Sequence, residues 1–231
     1  CGARWSYYET ASVNCPECGS VASRGLDDER ALHTASPDEL DLSDVRAAVD
    51  ERPLHEVAAD AKATCREYVR GDGFLHAGEL LALSDTHLAA RELIHAADLV
   101  DRSMTTDDEA QLYLLALLRG ADRGERPPAE EVPDSMRAAR GLAVAETVTA
   151  YRRELRDWLD EHPRAGVEEP LGLLDQHARR LSALQGDVPP RAAEQLVAAT
   201  RELAAAVREE DAAALGTAAE RLDRPELFRG D

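Results

Sequence analysis

Apolar residues recur along most of this chain in alternating steps of three and four, the spacing that gathers them on one face of an α-helix. In the C-terminal half the stripe is close to heptad. Leu142, Ala145, Val148, Tyr151, Leu155 and Trp158 share one face, as do Leu171, Leu174, Ala178 and Leu181. Leu196, Leu203 and Val207 follow, then Leu215, Ala219 and Leu222. Each stripe has to be covered by another helix. The pattern predicts helices over 43–51, 54–70, 79–102, 106–120, 135–161, 169–185, 190–209 and 211–222. Within 79–102, Leu80, Leu81, Leu83, Leu88, Leu93, Ile94, Leu99 and Val100 spread around the axis, which predicts a central helix buried on several sides.

The breaks between these segments are chemically marked. Gly71-Asp72-Gly73, the run Gly120 to Gly124 followed by Pro127-Pro128, His162-Pro163 and Val188-Pro189-Pro190 all interrupt helical geometry. Ser36-Pro37-Asp38-Glu39 reads as a capping box that starts a helix. Asp107-Asp108-Glu109, after Thr105-Thr106, suit the first turn of another. Short gaps favour antiparallel neighbours, so the expected architecture is mainly α, an antiparallel multi-helix bundle behind a small N-terminal module. The expected divisions are a module at 1–25, a linker at 26–36, a helical region at 37–124, an exposed loop at 125–134 and a helical bundle at 135–231.

Composition agrees with a packed helical body. The chain has 231 residues, 44% of them apolar and only 4% aromatic, so its core must be built from Leu, Ala and Val. No stretch approaches the roughly 20 apolar residues needed to span a bilayer, and a cytoplasmic location is expected. The formal net charge is −19, and Lys62 is the only lysine among 27 basic residues. Excess carboxylate with almost no lysine points to adaptation to molar salt, in an extreme halophile and most simply a haloarchaeon. At 1 M salt the Debye length is about 3 Å, so bulk acidity neither steers nor forbids partners over distance.

The chemistry concentrates at the start, CGARWSYYETASVNCPECGS, where Cys1, Cys15 and Cys18 fall. Cys15-Pro-Glu-Cys18-Gly19 is a knuckle in which two thiolates grip one metal from a tight turn, and the Gly supplies a positive φ. Cys1-Gly2 has the same ending as that turn. The spacing predicts the second half of a matching knuckle, with its partner Cys three residues upstream of Cys1. Between the knuckles, Arg4 to Tyr8 reads as a short aromatic strand, and Val21 to Arg24 as a further one. So small a hairpin would draw its folding free energy from the metal. Two alternatives stay open: a redox Cys15/Cys18 pair, or a lipidated first cysteine. His33 is a substitute fourth ligand, and Cys65, within a helical pattern, reads as a buried apolar residue.

This stretch resembles a zinc ribbon of the transcription factor IIB type. With its acidic helical remainder, the chain resembles the uncharacterised haloarchaeal zinc-ribbon proteins. The resemblance covers roughly the first 25 residues, and of the four cysteines in that pattern only Cys1, Cys15 and Cys18 have counterparts. It implies a structural Zn2+, a role around transcription or RNA, and no catalysis.

The helical part carries no recognisable catalytic motif. His87, Arg91 and His95 share a face, but i,i+8 spacing is too wide for one metal without other ligands, and no H-E-x-x-H is present. The glycines of Gly71 to Gly78 read as a turn, since no G-K-[ST] follows and no strand precedes them. The leading expectation is therefore a non-enzymatic zinc-binding adaptor or regulatory protein. It would contact a protein partner through Arg4, Trp5, Tyr7 and Tyr8, or use them to shield the metal. Direct nucleic-acid binding through the ribbon is the alternative, weakened by the lack of any basic cluster. An enzyme with an unrecognised site in the helices comes third.

Overall fold

The stripes fold onto one another to bury two linked apolar cores. In the computed structural model, residues 1–26, 31–102 and 107–223 are described, and they are mainly α-helical. After a one-turn helix α1 (Tyr7–Thr10) come α2 (Ser43–Ala47) and α3 (Leu54–Gly71). A two-stranded hairpin, β1 (Leu75–His76) and β2 (Glu79–Leu80), leads into α4 (Asp85–Arg102) and α5 (Asp108–Gly120). The C-terminal half holds α6 (Arg137–Glu161), α7 (Glu168–Ala183), α8 (Pro190–Glu209) and α9 (Ala212–Leu222). Among the described residues, no helix is long and apolar enough to cross a membrane.

One core gathers α2, α3, α4, α5 and the start of α6 around Val57, Ala61, Cys65, Leu93, Leu114 and Ala139. The other joins the hairpin to α6, α7, α8 and α9 around Phe74, Tyr151, Leu174, Leu196 and Leu203. Helices α4 and α6 serve both. The stripes of α7 and α8 are buried as their spacing predicts. Helix α6 is covered more widely than its single stripe suggests, with Gly141, Ala143, Val144 and Thr147 also buried. The reason is a close backbone crossing. A Cβ on Gly141 would lie 2.1 Å from the carbonyl oxygen of Gly186.

Three local expectations change. Residues 79–84 are not helical, and the central helix starts at Asp85. Ala77 (φ +50°) and Gly78 (φ +88°) form a two-residue turn with both central φ positive, which pairs Leu75 with Leu80 and His76 with Glu79. Long-range bonds from α6 hold it: Trp158 Nε1 donates to the Gly78 carbonyl (3.0 Å) and Tyr151 Oη to that of Leu81 (2.8 Å). No helix starts at Ser36, whose Oγ closes a small turn by accepting the Asp38 N–H. The first turn of α2 begins at Ser43, whose N–H Asp41 accepts (2.8 Å). Asp107 does cap α5, accepting the Ala110 N–H (2.6 Å), whereas Thr105 and Thr106 lie outside the described residues.

The loop expected to be exposed at 125–134 instead inserts a side chain. Arg126 reaches between helices to Glu92 of α4 (3.2 Å) and Glu194 of α8 (3.0 Å). Arg140 of α6 bonds the same two carboxylates at 2.6 Å each, and also donates to the Pro127 carbonyl (2.7 Å). Tyr113 of α5 completes the network by donating to Glu92 and accepting from Arg140. Glu92 and Arg140 are 0% and 1% exposed, and with the half-buried Arg126 and Glu194 they balance two guanidinium groups against two carboxylates between the cores. Burial, with the Glu92 charge beside it, pushes the Tyr113 hydroxyl well above its ordinary range, keeping it a neutral donor.

Candidate metal centre

The three N-terminal cysteines converge. The Sγ atoms of Cys1, Cys15 and Cys18 all lie within 4.8 Å of one another, with Cys1 at 3.4 Å from each of the other two. Thiolates around a tetrahedral zinc, with Zn–S near 2.3 Å, stand roughly 3.8 Å apart, so this donor set suits a metal ion of that size. The knuckle geometry is as its residues dictate. Gly19 (φ +69°) and Gly2 (φ +88°) take the left-handed conformation, and Gly19 N–H returns to the Cys15 carbonyl (2.8 Å). Backbone N–H groups of Cys18, and then Glu17, hold the Cys15 thiol below its ordinary range against a smaller opposing effect of burial. A thiol so biased is readily deprotonated, the form that ligates metal.

The strands expected at Arg4 to Tyr8 and Val21 to Arg24 do not form. Residues 7–10 wind into α1 instead, ended by Ala11 in the left-handed region with its N–H on the Tyr7 carbonyl (2.8 Å). Trp5 Nε1 donates to the Ser12 carbonyl (3.1 Å), which ties the loop across its mouth. A hairpin needs a run of paired backbone; this segment meets its polar groups locally, and a turn-built loop carries the thiols.

The other candidate residues separate clearly. Arg4 and Tyr7 are exposed, whereas Trp5 and Tyr8 are half-buried and hold the module together or against its neighbours. His33 does not join the thiols. Its Nδ1 accepts the Ala77 N–H (3.2 Å), and its ring packs between Tyr8 and His76. Cys65 is fully buried in α3, and burial pushes its thiol up to about 12.

On α4, His87 is buried with Nδ1 at 3.4 Å from Asp72 and Nε2 accepting from Arg91 Nε (3.3 Å). Arg91 and His95 converge on Glu146 of α6, at 2.8 and 3.2 Å. Burial opposes ionisation of Glu146, but His95 and Arg91 outweigh it and hold the carboxyl below its ordinary range. These histidines are members of a polar seam between α4, Asp72 and α6. The Glu92–Arg140 network was not legible in advance, because its members lie on four different helices and a loop. A hollow of about 300 Å³ opens beside it, lined by Arg126, Pro127, Arg140 and Glu194. Both guanidinium groups there already face carboxylates, so the hollow presents no unmatched cation to an anionic ligand.

Fold and site together define a mainly α protein whose N-terminal thiol cluster can hold a metal ion. The chain belongs to a family of unknown function (DUF7117), whose model matches residues 1–222 and thus takes in both the thiol cluster and the helical body. No curated protein and no solved structure matches it significantly.

Proposed function

We propose that this chain is a non-catalytic, zinc-binding adaptor or regulatory protein. Cys1, Cys15 and Cys18 ligate a structural Zn2+, and the surrounding loop presents Arg4 and Tyr7 to a protein partner within transcription or RNA machinery. One observation carries the reading. Three thiols separated by 14 and 3 residues meet within 4.8 Å in a segment too small to bury a core of its own. The module's charge supports protein contact. Arg4 and Arg24 balance Glu9 and Glu17, so the whole −19 lies beyond residue 26. Its surface is also apolar: Tyr7, Val13, Val21 and Leu26 are exposed there, against Leu81, Leu112 and Leu184 in the rest of the described chain. The lysine-poor, acid-rich composition supports a high-salt setting, which a melting temperature rising with molar KCl checks.

The test is metal content per chain, with cobalt substitution to read the ligands. The expected result is one tightly held ion, intense sulfur-to-cobalt absorption, and loss of both in Cys15→Ser. Arg4→Ala and Tyr7→Ala should keep the metal. An ion-free wild-type chain that forms a Cys15–Cys18 disulfide would overturn the reading and return the pair to redox chemistry. Tight binding of labelled nucleic acid, lost in Arg4→Ala, would replace the adaptor reading with direct nucleic-acid recognition.

A further inference from the structure

Helix α5 (Asp108–Gly120) holds more leucine than its inner face can bury. Five of its 13 residues are leucines. Leu114, Leu117 and Leu118 join Ala110 and Tyr113 in the core shared with α4. Leu112 and Leu115 turn to the outer face. Leu112 is 66% exposed, above Leu81 (38%) and Leu184 (46%), and Leu115 is half-buried. The two lie on a second stripe, Asp108-Leu112-Leu115-Arg119, with steps of four, three and four. Those steps amount to about three turns, so the stripe runs in one line along the helix. Helix polarity favours an acid in the first turn and a base in the last, but it does not choose a face for them. Here both fall on the leucine line and close its two ends. Asp108 and Arg119 are exposed, and neither forms an ion pair among the described residues.

We infer that the outer face of α5 is a self-association surface, on which two copies of this chain pair their stripes antiparallel about a two-fold axis. The stripe is its own complement. Turned end for end, it sets Leu112 against the partner's Leu115 and Asp108 against the partner's Arg119. Each contact occurs twice, as an isologous interface requires. The leucines exclude water at the centre, and the ion pairs close the rim. A different protein would have to bring a base for Asp108, an acid for Arg119 and an apolar centre between them. A second copy brings all three in register. Antiparallel pairing also sets the two helix dipoles against each other.

The size of the contact sets its strength. Helix α5 is roughly 20 Å long. One helix face of that length buries less than the roughly 1,200 Å² at which stable interfaces begin. The dimer is therefore weak and reversible. Its apolar centre is not screened by salt, so it persists in molar KCl while the rim pairs weaken. Such a dimer carries two thiol modules, which makes the proposed adaptor bivalent. The pairing itself rests on α5 and not on the metal.

The test is sedimentation equilibrium of the full chain in molar KCl, from about 10 μM to about 1 mM, with metal content measured on the same samples. The wild type should pass from monomer toward dimer across that range. Leu112→Glu puts a carboxylate at the apolar centre and should weaken association at least about tenfold with helical circular dichroism unchanged. Asp108→Arg alone sets like charges opposite each other and should weaken it about threefold. Asp108→Arg combined with Arg119→Asp restores opposite charges and should recover it. A wild-type chain still monomeric at the highest concentration would overturn the inference. So would a dimer that Leu112→Glu leaves intact, whether held by zinc, by a disulfide or by another face. A double exchange no better than Asp108→Arg alone would overturn the antiparallel pairing. A chain that binds no metal yet dimerises through Leu112 would sink the zinc reading and leave the pairing standing.

Discussion

Replacing Arg140 with Met should be among the most damaging single changes in this protein. Arg140 is 1% exposed and donates to Glu92, Glu194, Tyr113 and the Pro127 carbonyl. Met fills much of the same volume, so the change is chiefly electrostatic. It leaves Glu92, 0% exposed, with Arg126 and Tyr113 as its remaining partners. Removing one member of a buried ion pair costs about 3–5 kcal/mol, because the other charge stays desolvated. The surviving Arg126 contact places Arg140→Met near the lower end, about 3 kcal/mol, or a fall in Tm of about 6–12 °C for a chain of this length. Glu92→Met leaves Arg126 and Arg140 sharing the one carboxylate of Glu194 and should cost a comparable amount. The combined change, with Tyr113→Phe to avoid an orphaned hydroxyl, should cost far less than the sum, because no lone charge or unmatched donor remains at Glu92. Urea unfolding of the single and combined variants measures this directly. Additive losses, or a loss under 1 kcal/mol for Arg140→Met, would refute the claim that the network is a mutually dependent buried unit.

Three further outcomes follow from the geometry. Gly141→Ala forces a methyl against the Gly186 backbone and should cost about 1–3 kcal/mol, read as a lower urea midpoint, whereas Gly172→Ala, with open space around it, should be neutral or stabilising. Glu146 is held below its ordinary carboxyl range, so its contribution is present above that range and lost as pH falls through its folded value; Glu146→Gln should flatten the acid limb of stability measured below pH 4.5. In metal-free native protein Cys1 and Cys18 should react quickly with a disulfide reagent at pH 8, while Cys65, fully buried with its thiol near 12, should react only in denaturant.

The sequence by itself determined the helical class, most helix limits and the buried stripes of α7 and α8, because heptad spacing and Gly/Pro breaks act locally. It also marked the thiol site: C-x-x-C-G and Cys-Gly place sulfurs and positive-φ glycines by short-range geometry, and the three thiols do meet. Only tertiary structure decided the rest. Residues 79–80 pair as a strand rather than joining a helix, because Trp158 and Tyr151, some 70 to 80 residues away, donate to carbonyls of that hairpin. Aromatic residues near the start wind into a helical turn because no partner strand is at hand among the described residues, and Tyr8 meets His33 and His76 only once segment 31–35 lies along the hairpin. Glu92, Arg126, Arg140 and Glu194 look on the sequence like ordinary solvated charges. They become one network around the buried Glu92–Arg140 pair because three helices and a loop converge there, and convergence of that kind leaves no periodic trace in the chain.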